Sequence, residues 1–168
     1  MNIAILLPYK ENFSLTSAGA VSIFVNDTNK LSIFKKNIIV YGSTINHSTF
    51  KNYRDINLKK KIFFSTSVQY IKNFIKLVKQ EKIDILEIHN RPNYINYFDQ
   101  SLVCKKILFF HNDPQDMQGS KTINERINLL NKVDKIIFNS NWTRSRFFEF
   151  LPNTLDFTKL SVVHQSTS

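Results

Sequence analysis

The chain has 168 residues, 42% of them hydrophobic, which is enough for one domain with a sizeable core and gives no reason to expect a second. Its formal net charge of +10 is mostly lysine, with arginine only at 54, 91, 126, 144 and 146; such a surface draws nucleic acid, nucleotide phosphates or acidic headgroups, though a composition rich in Lys, Asn, Ile and Phe also fits AT-rich codon bias. The one cysteine, Cys104, excludes an internal disulfide framework and suits a reducing compartment, and no apolar run reaches the eighteen or so residues of a membrane span.

MNIAILLPYK lacks a basic leader and meets Pro8 where the apolar stretch of a signal peptide would continue. The expectation is a cytoplasmic, soluble chain, in which the triplets NFS, NDT, NHS and NWT are by-products of Asn-rich composition.

NIAILLP (2–8) is the first predicted strand. The loop after it, Thr16-Ser17-Ala18-Gly19-Ala20, precedes a helical pattern of Ile23, Phe24 and Leu31. Free backbone N–H groups at a helix start bind phosphate or carboxylate; the plainer reading is that Ser17 caps the helix and Gly19 eases a turn. The loop is neither a GxGxxG nor a P-loop.

NIIVYGS (37–43) is the second strand and KIFFS (61–65) the third, with an irregular, exposed connection over 45–61. SVQYIKNFIKLVKQEK (67–82) is an amphipathic helix that buries Val68, Ile71, Phe74, Ile75 and Val78. Its Lys72, Lys76 and Lys79 are chiefly a solvated face, with peripheral contact to an anionic membrane as the alternative.

DILEIHN (84–90), KKILFFHN (105–112), DKIIFNSN (134–141) and KLSVVHQ (159–165) complete seven strands. Two helices lie among them: KTINERINLLNKV (121–133), buried through Ile123, Ile127, Leu130 and Val133, and WTRSRFFEFL (142–151), stopped by Pro152. Alternating strands and helices make this α/β: a Rossmann-like, doubly wound, mostly parallel sheet of about seven strands with helices on both faces, spanning 1–168 as a single domain.

Ligands of open parallel sheets bind outside the carboxyl ends of the strands, and these ends are polar and expected to share one rim. His111 offers a hydrogen bond to a sugar hydroxyl, a base, or a donor to a backbone carbonyl. Asp113 is a ligand-facing carboxylate or an Asx-turn residue before Pro114. Asn90-Arg91-Pro92 presents a guanidinium suited to phosphate or carboxylate, or a surface ion pair. Ser140, Asn141 and Trp142 line the crevice, or else Trp142 packs and Ser140 or Asn141 caps the helix. The histidines at 47, 89, 111 and 164 are scattered, and neither CxxC nor HExxH occurs, so no metal is expected. There is no nucleophile elbow.

The ordered set HNRP, HNDP and NSNWTRSRF, after NIAILLP and the Gly19 loop and before KLSVVHQSTS, resembles the N-terminal half of a retaining glycosyltransferase of the GT-B fold. More narrowly it is similar to the subfamily-4-like domain of lipopolysaccharide and other envelope-glycan enzymes. The resemblance covers nearly the whole chain. It implies an acceptor-side domain, with a nucleotide-sugar donor and a glycan or lipid-linked acceptor as substrates, no cofactor and no metal.

It implies further that Gly19, with Ser17 beside it, lies near the donor diphosphate, and His111 near the donor sugar. Asn90, Arg91, Asn112, Asp113, Ser140 and Asn141 join the substrate site. His111 would orient and stabilise charge in a front-face substitution in which the leaving phosphate helps deprotonate the acceptor. The family's paired first-loop glycines are here Ala18-Gly19.

The family's donor-binding C-terminal domain, with its glutamates and Arg/Lys pair, is absent from the sequence, which implies a truncated gene, an expression boundary or a separately expressed half, inactive alone. The competing expectations are a non-enzymatic basic α/β module that binds nucleic acid or acidic membrane through dispersed lysines, against which no RRM, KH or helix-turn-helix signature appears, and a small, self-contained nucleotide or flavin binder.

Overall fold

The structure is a computed structural model that describes residues 1–14, 16–44, 51–58, 65–99 and 102–165. Its strands are β1 (Ile3–Leu6), β2 (Ile38–Gly42), β3 (Tyr53–Asp55), β4 (Ile85–His89), β5 (Lys105–Phe110), β6 (Lys135–Phe138) and β7 (Leu160–Val162). They form one all-parallel sheet in the order β3-β2-β1-β4-β5-β6-β7, a Rossmann-like α/β arrangement. The helices are α1 (Ala20–Leu31), α2 (Thr66–Val78), α3 (Ile123–Lys132) and α4 (Asn141–Phe148).

The chain divides into two compact units, Met1–Leu86 with Tyr97–Cys104, and Glu87–Asn96 with Lys105–Ser168. In the first, every residue of β1 is buried, as a strand covered on both faces requires. Ile3, Ile5 and Leu7 pack with Phe13, Val21, Val25, Ile38 and Val40. Helix α2 starts on Ser65, whose side chain accepts from the Val68 N–H. It buries Phe74 against Tyr41 at 5.2 Å between ring centroids, and Tyr70, whose hydroxyl donates to the Leu7 carbonyl at 2.8 Å.

The second unit packs around Phe110, Phe138 and Phe147, whose ring centroids lie 5.4–5.8 Å apart. Thr122 opens α3 with a capping box, accepting from Glu125 N while its own N–H donates to Glu125 Oε2.

Four sequence expectations change. The third strand is Tyr53–Asp55, inside the segment expected as an exposed connection, and KIFFS lies outside the described residues except for Ser65. The reason is its edge position: β3 pairs on one side only, setting Tyr53 opposite Val40, so polar Arg54 and Asp55 cost it nothing. Helix α1 buries Val21 and Val25 while Ile23 and Leu31 face solvent. Helix α3 buries Leu130, and Val133 after it, as expected, but Arg126 and Leu129 are buried beside them while Ile123 is exposed. Trp142 does not pack at the start of α4; it is 59% exposed.

Candidate functional site

His111 is the first residue after β5, and four side chains fix it. The Asn90 side-chain oxygen accepts from the His111 N–H at 2.8 Å, and the Asn139 amide donates to the His111 carbonyl at 2.8 Å. Thr143 in turn donates to Asn139 Oδ1 at 2.7 Å. The ring nitrogen Nε2 lies 2.9 Å from Nδ1 of His89, and Nδ1 lies 2.5 Å from the Gln165 amide nitrogen.

With the Gln165 amide assigned so that its nitrogen faces the ring, that nitrogen donates, His111 Nδ1 is the acceptor and Nε2–H the donor, toward His89 Nδ1. That leaves the His89 proton on Nε2, which faces Glu87 Oε2 at 3.8 Å. Burial, and then the neighbouring His89, lowers the His111 pKa from 6.5 to about 3. At neutral pH the imidazole is therefore uncharged, able to accept at Nδ1 but offering no positive charge.

Asn90 stands at the sharp exit from β4. Its φ of 51° lies in the left-handed region, which asparagine tolerates better than most side chains. Its N–H still donates to the Phe109 carbonyl at 2.9 Å. The next residue, Arg91, folds back so that Nη1 donates to the Asn90 carbonyl at 2.7 Å, and it is half-buried. Asn112 and Asn141 are exposed.

Asp113 and Ser140 are committed to the chain. Asp113 Oδ1 accepts from Gln115 N at 2.9 Å, starting the 3₁₀ turn Pro114–Asp116, and Oδ2 accepts from Arg146 Nε at 2.8 Å. Arg146 also donates to Glu149 at 2.5 Å, and Gln115 donates to the Arg146 carbonyl and Glu149 at 2.7 and 2.9 Å. Ser140 Oγ caps α4 by accepting from Thr143 N at 3.1 Å.

Ser17 and Gly19 belong to the first unit. The Ser17 hydroxyl pairs with Ser14 at 2.9 Å and caps nothing. Gly19 is the N-cap of α1 but has no side chain to offer, so Glu11 reaches in and Oε1 accepts from Ser22 N at 3.1 Å. A Cβ at Gly19 would overlap that carboxylate, so the glycine admits an anion to the helix start, and the anion there is the protein's own.

Sequence reasoning missed His89, Asn139 and Gln165. A signal for His89 was present: adjacent strands β4 and β5 both end on His-Asn-x-Pro, which puts like residues side by side in a parallel sheet. Among the described residues, no three His, Cys, Asp or Glu side chains gather to hold a metal ion, and no helix is long and apolar enough to cross a membrane.

No family model matches the chain, and no curated protein matches it by sequence. Solved structures do. HepE of Anabaena, in complex with UDP and glucose, superposes with a TM-score of 0.65 at 11% identity, over 98% of this chain and 44% of that one. Sucrose-phosphate synthase of Thermosynechococcus elongatus gives 0.68 at 12%, over 99% and 49%. HepE in complex with UDP-glucose gives 0.60 at 9%, over 96% and 43%. The chain spans less than half the length of each. The likeness shows the fold alone, a Rossmann-like domain of the GT-B type.

Proposed function

We propose that this GT-B-type domain is the acceptor-side half of a retaining glycosyltransferase that moves a hexosyl unit from a nucleotide-sugar to an envelope-glycan or lipopolysaccharide-type acceptor. It works in the cytoplasm or at the inner face of the membrane and is inactive without a donor-binding half. Two supports are independent of each other: neighbours whose structures hold UDP with glucose or UDP-glucose, and a strand-end histidine whose ring is pinned on both sides. The second carries the reading.

In this account Nδ1 of His111 accepts a hydroxyl of the transferred sugar, which takes the place of the Gln165 amide. His89 is a positioning residue: by accepting from Nε2 it holds the His111 lone pair on Nδ1. Asn90 and Asn139 fix the backbone that carries the ring, while Asp113 and Ser140 serve from behind by holding the Pro114–Asp116 turn and α4. Arg91, Asn112 and Asn141 have exposed polar groups left for substrate. Because His111 is neutral it orients the sugar and stabilises no charge, so relief of charge at the leaving diphosphate falls to other groups. Gly19 and Ser17 keep a role at the donor diphosphate only if phosphate displaces the Glu11 carboxylate from the start of α1.

The test is sugar transfer by a protein that carries both halves. His111→Ala is expected to lower turnover by about 100-fold or more in a protein that circular dichroism shows to be folded. Turnover at the original level would remove His111 from the site.

A further inference from the structure

The end of α1 breaks the rule that a surface helix turns its apolar residues inward. Leu31 is 88% exposed, Ile33 89% and Phe34 41%, and Ile23, two turns earlier on the helix, is 52% exposed. These side chains stand on an ordered turn. Ser32 N donates to the Asn29 carbonyl at 3.3 Å, Phe34 N to Ser32 Oγ at 3.1 Å, Lys35 N to the Ser32 carbonyl at 3.2 Å, and Asn37 N to the Phe34 carbonyl at 2.7 Å. A backbone held this way presents its side chains at a fixed angle.

Lysines surround them. Lys30, Lys35 and Lys36 are all exposed. Lys30 meets Asp27 at 3.4 Å, and neither Lys35 nor Lys36 has a carboxylate partner among the described residues. Apolar tips rimmed by lysine match a bilayer interface, where the tips enter the acyl boundary and the ammonium groups stay with anionic headgroups. A protein partner fits less well, because three protruding side chains fall well short of the about 1,000 Å² that a stable protein interface buries.

We propose that the turn Leu31–Lys36 is a docking wedge for anionic lipid bilayers. It is a different surface from the lysine face of α2, where Lys79 is engaged with Asp99 at 3.7 Å and no large apolar side chain stands exposed. The proposal goes beyond the glycosyltransferase reading and survives if that reading fails.

The experiment is co-sedimentation of the chain with vesicles of phosphatidylcholine alone and of phosphatidylcholine mixed with phosphatidylglycerol. Binding is expected only with the anionic vesicles, and part of it should persist in high salt, since apolar insertion is not screened. The variant Leu31→Ser/Ile33→Ser/Phe34→Ser is expected to lose binding by at least tenfold, and Lys35→Ser/Lys36→Ser to lose its preference for anionic lipid. Lys72→Ser/Lys76→Ser on α2 should bind as the original does. All these positions are exposed, and circular dichroism checks that each variant is folded. Absence of binding to anionic vesicles, equal loss in the α2 variant, or full binding by a folded triple variant would overturn the wedge. So would self-association that the triple variant abolishes without any vesicle binding, which would mark the turn as an interface between copies.

Discussion

His111 is held neutral by burial first and by the neighbouring His89 second, and that has a measurable consequence for stability. Unfolded, the ring takes up a proton near its ordinary 6.5; folded, it does so only near 3. Between those values the unfolded chain binds a proton that the fold refuses, so this contribution is complete above pH 6.5 and declines as pH falls toward 3, at up to about 1.4 kcal/mol per pH unit. Denaturant unfolding followed from pH 7 to pH 4 is therefore expected to fall more steeply for the original chain than for His111→Asn. Parallel profiles would show that the imidazole is not desolvated in the fold.

The sequence made His111 visible because an apolar run stops on it. It concealed the partners of that residue, since Asn139 at its carbonyl and Gln165 at its ring lie 28 and 54 positions away and only the fold brings them to it. Asp113 shows the converse. Its pattern before Pro114 suited both a ligand and an Asx turn, and the deciding partner, Arg146, lies 33 positions later.

At the scale of elements, helix registers were harder to read than strands. KIIF and KILFF announce buried strands by composition. Helix α3 misleads, because its largest buried side chain is Arg126, 2% exposed, a residue type that pattern reading assigns to solvent. The guanidinium is tolerable there because Nη1 donates to the Ser120 and Lys121 carbonyls at 3.2 and 2.9 Å, and Nη2 to the Glu149 carbonyl at 2.7 Å. It ties the start of α3 to the end of α4. Arg126→Ala leaves those carbonyls without their donor and opens a cavity, and is expected to lower unfolding stability by about 2–4 kcal/mol, read as a shift in denaturant midpoint. A loss below about 0.5 kcal/mol would mean the carbonyls find water instead.

Gly119 belongs to the same corner. At φ 95° and with the Asn93 backbone nitrogen 2.5 Å from where a Cβ would sit, it admits no side chain. Gly119→Ala is accordingly expected to lower the thermal transition by several degrees, and an unchanged transition would show that the turn gives way freely.

For the whole molecule, alternation of strands and helices was enough to give the α/β class, the number of strands and a parallel Rossmann-like sheet, and the solved neighbours share that fold at 9–12% identity. The third strand escaped because an edge needs little apolar sequence. The net charge of +10 named no partner by itself. It becomes informative only where lysines border exposed apolar side chains, as on the turn after α1, where the helical pattern alone did not tell which face Leu31 takes.

Whether a neutral, tautomer-fixed His111 receives a hydroxyl at Nδ1 can be read from ¹⁵N NMR of the histidine side chains during titration with nucleotide-sugars. The account predicts one His111 tautomer, protonated on Nε2, with no titration near its ordinary pKa, and a shift at Nδ1 when a donor is added in the presence of the donor-binding half. A ring that titrates near 6.5, or an Nδ1 signal that no nucleotide-sugar moves, would contradict it.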